Sequence, residues 1–520
     1  MSAARFRAAL AALTLCGYAL RAYGLHHQSY WLDEVDAIAL AGEPVGVHVR
    51  KFAAIGENGP LYFLLFKAWL WLAGPSEYGA RYLSAMASTL AIPLLAGVAY
   101  RLFRHGVTAL VAAGLAAISP YYVWYGQDAK MYPLYAALAL GAQYCLLRGW
   151  HGPRLPLATS ASPEAIGSGQ WSVEDAGHGA PSRPSLPTLH SSRFALHALW
   201  WAGYVACASL ALYVHLFAAL QIAANTAAGL WLWRRYPSGR RSFAGATSLL
   251  VAPYLPLALW QAPLLLQGAN VGYQPAGLRS MIVALLEQFT WHVNPPPARW
   301  WLAPLALAAG WGLWRSVAGR ATGGAGTAAV LLTWLVVPVA ITSLVQSSVP
   351  VFRDRYLIPL VAPLLILLAR AAASSTGVAG LAAAGFVGAS CVYGLLHRPP
   401  NPEFRAAARM VRETAAPGEL VGFLAGYAER PFAFYYRQGA GRYEHVALPY
   451  TNYPGMTEQD GLLAVARSLR PGRWLWVVRF EDWLWDGRDL AGQYLANRGA
   501  RVVLRRDLNG VSVTRYELPP

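Results

Sequence analysis

Charged residues are scarce in this chain of 520 residues: Asp, Glu, Lys and Arg make up 13% of it, where a globular domain carries about 25%. With 56% hydrophobic residues and a mean hydropathy of +0.33, the composition excludes an ordinary soluble enzyme. Lysine occurs only at positions 51, 67 and 130, so the net charge of +17 is carried almost wholly by arginine. Cysteine is rare too. Cys16, Cys145, Cys207 and Cys391 each stand alone in an apolar run, which provides neither a disulfide framework nor a metal-ligand spacing. What is abundant is aromatic: 21 Trp and 28 Tyr, as in a polytopic chain with aromatic belts at its membrane interfaces.

A membrane-crossing helix needs about 20 apolar residues. Such runs lie at roughly 8–25, 82–100, 106–124, 131–148, 194–212, 214–233, 243–263, 300–314, 327–345, 355–370 and 376–396, about eleven in all. Arg5/Arg7, Arg101/Arg104, Arg148/Arg154, Arg193, Arg234/Arg235/Arg240/Arg241, Arg315/Arg320 and Arg370 fall on alternate connections, which assigns them together to the cytoplasm. This segregation accounts for the basic balance without a nucleic-acid partner. The other face receives residues 26–80, the Ser119–Lys130 turn, residues 264–299 and 346–355, and everything after 398. The N-terminus is then cytoplasmic and the C-terminal region extracytoplasmic at a cell (inner) membrane, with the first apolar run read as an uncleaved span rather than a signal peptide.

Two stretches need a physical decision. Residues 199–233 as one helix would be about 50 Å long; basic clusters at both ends favour a hairpin of two spans with His215 near its outer tip. The stretch 58–74 is interrupted by Lys67, and counting it as a span inverts every later arginine, so it is read as a helix in the outer interface. The resulting organisation is a transmembrane unit over 1–397 and a small extracytoplasmic α/β unit over 398–520. The Pro-, Ser- and Gly-rich connection 150–193 is expected to be a disordered cytoplasmic loop. In the C-terminal unit "NPEFRAAARMVRETAAPGE" reads as a helix, "LVGFLA" and "RWLWVVRF" as strands, and "VVLRRDLNGVSVTRYEL" as a hairpin around Asn509-Gly510. It contains no phosphate-binding Gly-rich loop, nucleophile elbow or zinc spacing.

Polar residues of chemical interest gather on the outer face. "QSYWLDEVDAIAL" places Asp33, Glu34 and Asp36 just after the first span. "ISPYYVWYGQDAKMYPLY" puts Gln127, Asp128 and Lys130 among tyrosines, and "SSVPVFRDRYLIP" carries Arg353, Asp354, Arg355 and Tyr356 at a span mouth. Carboxylates can activate a hydroxyl or hold a metal, and arginines bind phosphate bidentately. Together they suit group transfer from a lipid-phosphate donor whose tail lies in the bilayer. Each motif taken alone also has a plainer reading: solvated charge at a span end, a self-paired interfacial turn, a structural ion pair around Asp354. His215 in its apolar setting reads first as a hydrogen-bonded interhelical histidine. A transporter or flippase of lipid-linked sugars is a second reading, which calls for charges within the spans and an internal repeat between halves. A non-catalytic membrane scaffold is a third.

The segments "YWLDEVDAIALA", "GPLYFLLFKAWLWLAGPSEYGARYLSA", "SPYYVWYGQDAKMYPL", "YVHLF" and "RDRYLIPLVAPLLILLA" come in an order that resembles the bacterial membrane mannosyltransferase-like proteins of the dolichyl-phosphate-mannose-protein mannosyltransferase family (glycosyltransferase family 39), a group that includes the lipid A aminoarabinose transferase. The resemblance covers roughly residues 1–396 and implies a GT-C fold. It also implies inverting transfer of one sugar, mannose-like, from a polyprenyl-phosphate donor to a hydroxyl of an acceptor protein, lipid or glycan. Carried over residue by residue, it makes Asp33 the catalytic base with Glu34 beside it, and Asp128 the acidic residue of the second outer loop. Gln127, Lys130, His215, Arg353, Arg355 and Tyr356 fall to the substrate side. Tyr62 belongs there too, within Asn58-Gly59-Pro60-Leu61-Tyr62, where relatives often read Asn-His-Pro-Pro-Leu-Tyr. The missing histidine leaves donor phosphate or metal to be held by other groups. No cofactor is implied with certainty, and a divalent metal is compatible with the clustered carboxylates.

Overall fold

The computed structural model describes the chain except for residues 53–58, 152–187, 236–238, 267–275, 293–298, 319–323, 347–348, 375–377, 418, 438–443, 449–456 and 471–472. Most of the connection expected to be disordered, together with Asn58, lies outside the described residues. Helices α1 (Ala3–Ala22), α2 (Leu32–Gly42), α3 (Val45–Phe52), α4 (Pro60–Ala73) and α5 (Glu77–Phe103) open the fold. They are followed by α6 (Gly106–Ile118), α7 (Pro120–Gly126), α8 (Tyr132–His151), α9 (Thr188–Val214), α10 (Ala218–Arg235) and α11 (Arg240–Leu266). The helical part closes with α12 (Leu278–Trp291), α13 (Leu302–Ala318), α14 (Gly324–Gln346), a 3₁₀ turn over Asp354–Leu360, α15 (Val361–Ser374) and α16 (Val378–Leu396).

Each apolar run expected to span coincides with helix. Among the described residues five helices are long and apolar enough to cross a membrane, and six if the bent pair α6 and α7 counts as one span. The 199–233 run is broken at His215 into α9 and α10, because a hairpin satisfies two apolar lengths that one ~50 Å helix cannot bury in a single bilayer. The stretch interrupted by Lys67 forms the short α4, and the Lys67 ammonium donates to the Ala41 and Glu43 carbonyls at the C-terminal end of α2, at 3.0 and 2.9 Å.

The second outer turn is itself helical. The axis bends by 53° between α6 and α7. Ser119 caps α7, its hydroxyl accepting from the Tyr122 N–H, and Pro120 takes the first helical position, where no N–H is required. The break orphans the last carbonyls of α6. Arg21, fully buried on α1, donates to Ala116 and Ala117 at 2.8 and 2.9 Å and anchors its Nε on the Ser88 hydroxyl at 2.7 Å. Deeper in the bundle Gly312 of α13 lets the backbone of α15 come so close that a Cβ there would lie 2.1 Å from the Leu367 carbonyl.

After α16 the chain builds a five-stranded sheet: β1 (Leu420–Leu424), β2 (Glu444–Leu448), β3 (Trp474–Phe480), β4 (Arg501–Leu508) and β5 (Val511–Glu517), in the order β2-β1-β3-β5-β4. β1 runs parallel to β2 and β3, while β5 is antiparallel to β3 and β4, its hairpin closing at Gly510 with φ +68°. Helices α17 (Phe404–Thr414) and α18 (Glu429–Arg437) flank it and rest on the first outer loop. Ser29 donates to the Pro402 carbonyl, and the Tyr435 hydroxyl receives the Tyr30 N–H and donates to Glu77. Arg430 pairs with Asp36 at 2.7 Å and Arg405 with Glu77 at 3.2 Å.

Candidate active site

α2 begins at Leu32, so Asp33 and Glu34 are neighbours in its first turn and point about 100° apart. That rotation separates their environments. Glu34 turns inward and is fully buried, forked onto Arg81 of α5 by Nε–Oε1 and Nη2–Oε2 bonds of 2.7 and 2.6 Å. It also accepts from the Ala129 N–H at 3.0 Å and the Trp31 N–H at 3.3 Å. Arg81 spends its remaining donors on the carbonyls of Leu25, Gln28 and Ser29. With both oxygens committed, Glu34 fastens the first outer loop to α5 and to the second outer turn.

Asp33 faces the other way, its side chain 27% exposed, and pairs with Arg355 at 3.3 Å. The Arg355 guanidinium lies over the rings of Tyr132 and Tyr356, 5.7 and 6.0 Å from their centroids. Asp128 closes this side of the site. Its Oδ1 accepts from the Trp31 indole at 3.1 Å, and its buried Oδ2 has no partner among the described residues. Burial first, then the nearby Glu34 carboxylate, raises the Asp128 carboxyl to about 7. Lys130, two residues on, is 9% exposed, and its ammonium lies close enough to Asp128 to oppose that rise.

His215, at the tip of the α9–α10 hairpin, accepts the Phe217 N–H on Nδ1 at 3.2 Å and stacks on Tyr135 at 5.1 Å. Its ring lies 5.0 Å from that of Tyr356, and burial together with Arg355 lowers it to about 3, so the imidazole is neutral. Tyr62 is buried on α4 against Phe66. Gly59, at φ +77°, brings α4 against the end of α9, where a Cβ would lie 2.8 Å from the Val214 carbonyl.

Asp33, Asp128, Lys130, Arg355, Tyr356 and His215 therefore come together at one mouth of the bundle. Arg353 does not join them: it is exposed and caps the 3₁₀ turn, while Asp354 is held by the Tyr121 hydroxyl at 2.8 Å. Gln127 is used structurally, its amide donating to the Leu20 and Tyr23 carbonyls while its oxygen receives Arg398. Asp36 is taken by Arg430. Sequence reasoning missed Arg81, Trp31 and Tyr132. A signal for Arg81 existed, since an arginine one turn inside an apolar span calls for a buried partner. Among the described residues no three His, Cys, Asp or Glu side chains gather as a metal site.

The fold and this geometry define a membrane-embedded helical bundle with a carboxylate–guanidinium site at one mouth and a small sheet domain above it. No family model and no curated protein matches the chain significantly. Among solved structures, ArnT from Cupriavidus metallidurans bound to undecaprenyl phosphate aligns over 99% of this chain and 98% of its own, at 14% identity and a TM-score of 0.52. The oligosaccharyltransferase of Archaeoglobus fulgidus in its apo form aligns over 92% and 70%, at 11% identity and a TM-score of 0.51. The chain shares the GT-C architecture of these proteins, the fold that its motifs imply.

Proposed function

We propose that the chain is an inverting glycosyltransferase that moves a single, mannose-like sugar from a polyprenyl-phosphate donor to a hydroxyl on a protein, lipid or glycan at the extracytoplasmic face. On this reading about eleven helices span the bilayer, the N-terminus is cytoplasmic, and residues 398–520 lie outside the cell membrane. The observation that carries the proposal is the part-exposed Asp33 carboxylate set 3.3 Å from Arg355 at the outer mouth of a GT-C bundle.

The chemistry then runs in one displacement. Asp33 accepts the proton of the acceptor hydroxyl as that oxygen forms its bond to the anomeric carbon. The anomeric C–O bond to the phosphate breaks with its electron pair going to the phosphate oxygen. The leaving polyprenyl phosphate is stabilised by Arg355 and Lys130, cations held in place before reaction. Asp128 borders the sugar pocket, and Glu34 positions Asp33 by fixing its loop. Tyr132, Tyr356 and neutral His215 form an uncharged wall for the sugar and the first isoprene units. No step is routed through a metal.

The test uses detergent-purified protein with a panel of polyprenyl-phosphate sugars, mannose first, following release of free polyprenyl phosphate for wild type and Asp33→Asn, with and without a membrane extract as acceptor. Release by wild type that the variant lacks supports the transferase. Equal release by both removes Asp33 from the chemistry. Binding of the lipid without release by either protein favours the transporter or scaffold.

A further inference from the structure

The 3₁₀ turn and α15 carry an arginine near each end. Arg355 lies at the mouth, paired with Asp33, and Arg370 lies roughly 25 Å further along the turn and the helix. That is most of the ~30 Å hydrocarbon thickness, so Arg370 marks the opposite end of the bundle. There Gly312 brings α13 onto the backbone of α15 at Leu367, and about one turn further along the two helices stand Arg315 and Arg370. Arg315 is near enough for its charge to act on Arg370. Burial together with Arg370 pushes the imidazole of His105, just before α6, below its ordinary range. All three residues are part-exposed.

The packing sets like charges together, and the chain does not answer them. Among the described residues neither guanidinium has a hydrogen-bond or ion-pair partner; Arg370 lies over the Phe103 ring at 4.9 Å and Arg315 over Trp314 at 5.8 Å. A ring face attracts a cation without cancelling its charge. His105 adds a donor, not an acceptor: its Nδ1 accepts the Thr108 N–H at 3.3 Å in capping α6, which leaves the ring proton on Nε2. Of the connections that reach this end, only 150–193 contains Asp or Glu, and these (Glu164, Glu174 and Asp175) lie outside the described residues.

The flank of the cluster decides what would answer it. Leu307, Trp311 and Trp314 recur on one face of α13, all exposed, and lead up to Arg315. A tryptophan-bearing apolar stripe that ends in cations is the pattern of a helix meeting lipid headgroups. We infer that Arg315, Arg370 and His105 form a phosphate site for an anionic phospholipid, its chains lying along the Leu307–Trp314 stripe, at the end of the bundle opposite Asp33. A free phosphate offers the same group but has no use for the stripe. The occupant neutralises the two cations that Gly312 holds together. The inference does not depend on the transferase reading, and its test needs no turnover.

The experiment uses delipidated full-length protein in detergent, with native mass spectrometry and thermal shift for phosphatidylglycerol. Diacylglycerol, which lacks the phosphate, serves as the blank, and inorganic phosphate probes the headgroup chemistry alone. Arg315→Gln and Arg370→Gln are each expected to weaken phosphatidylglycerol about tenfold, the weight of one hydrogen bond to a charged group. Arg7→Gln, an exposed arginine on a connection to the same end, is expected to bind as wild type does. Without lipid, Arg315→Gln is expected to melt no lower than wild type, because it relieves a repulsion; an arginine with a purely structural role would lower the melt. Equal binding by wild type and both cluster variants overturns the site. An equal loss in Arg7→Gln also overturns it, since a diffuse basic surface then accounts for the binding. A response to inorganic phosphate with none to phosphatidylglycerol overturns the lipid assignment. If Arg370→Gln fails to fold, Arg315→Gln decides alone.

Discussion

Glu34 and Arg81 offer the sharpest test of how the site is held. The sequence places Glu34 beside Asp33 as a second reacting carboxylate, whereas its geometry is that of an anchor with both oxygens occupied. The side chains are 0% and 2% exposed, so removing either leaves the other charge buried and uncompensated, at a cost of about 3–5 kcal/mol. Arg81→Met additionally orphans the carbonyls of Leu25, Gln28 and Ser29. Glu34→Gln is the gentler change, because its amide oxygen can still receive one Arg81 N–H. Both single variants should lower the melting temperature in detergent and expose the first outer loop to protease. The double variant Glu34→Gln/Arg81→Met should be less damaged than the sum, with a coupling of about 1–3 kcal/mol, and should recover transfer in step with stability. A Glu34→Gln protein that melts like wild type yet transfers nothing would refute the anchor and restore Glu34 as a reactant.

Other expectations concern single groups. The folded protein holds a proton on Asp128 up to about pH 7, whereas the unfolded chain releases it near its ordinary 3.8. The stabilising contribution of that proton is therefore full below about pH 4 and lost as pH rises through 7; Asp128→Asn should flatten the melting profile over that window. Gly59→Ala forces a side chain into a left-handed backbone and against the Val214 carbonyl, and should lower stability by about 1–3 kcal/mol, read as an earlier melt. The Asp36–Arg430 pair is 37% and 57% exposed, so Asp36→Asn should change melting by no more than about 1 kcal/mol, and should instead loosen the C-terminal unit, read as faster hydrogen exchange in α18. His215 is already neutral, so His215→Gln should leave the position of the pH–activity profile unchanged while weakening donor binding.

Much of the helix pattern was legible because apolar length is a constraint the bilayer imposes directly. The α9–α10 hairpin followed from that logic alone, since basic clusters at both ends of 199–233 require an even number of crossings. The convergence of Asp33, Asp128 and Arg355 was legible only as shared sidedness. Which of two adjacent carboxylates faces the mouth was not, because it depends on where α2 starts: a start one residue later would turn Glu34 into the direction Asp33 now takes. Arg353 and Arg355 look equivalent in sequence, yet the 3₁₀ turn sends only the second toward Asp33. The roles of Arg21 and Gln127 were hidden because their partners are mostly backbone carbonyls, which no residue pattern marks.

The contacts between the first outer loop and the C-terminal unit carry a consequence for how the protein is made. Ser29 and Tyr30 precede Asp33 by a few residues, and their partners Pro402 and Tyr435 are separated from them by 373 and 405 positions. The reactive loop is thus among the first segments synthesised and among the last to be secured. A chain released before α17 and α18 would carry the full set of candidate catalytic residues with Asp33 on an unfastened helix. If the proposed chemistry holds, completion of the polypeptide would act as a built-in delay, because the helix carrying Asp33 is fastened only when α17 and α18 have folded onto it.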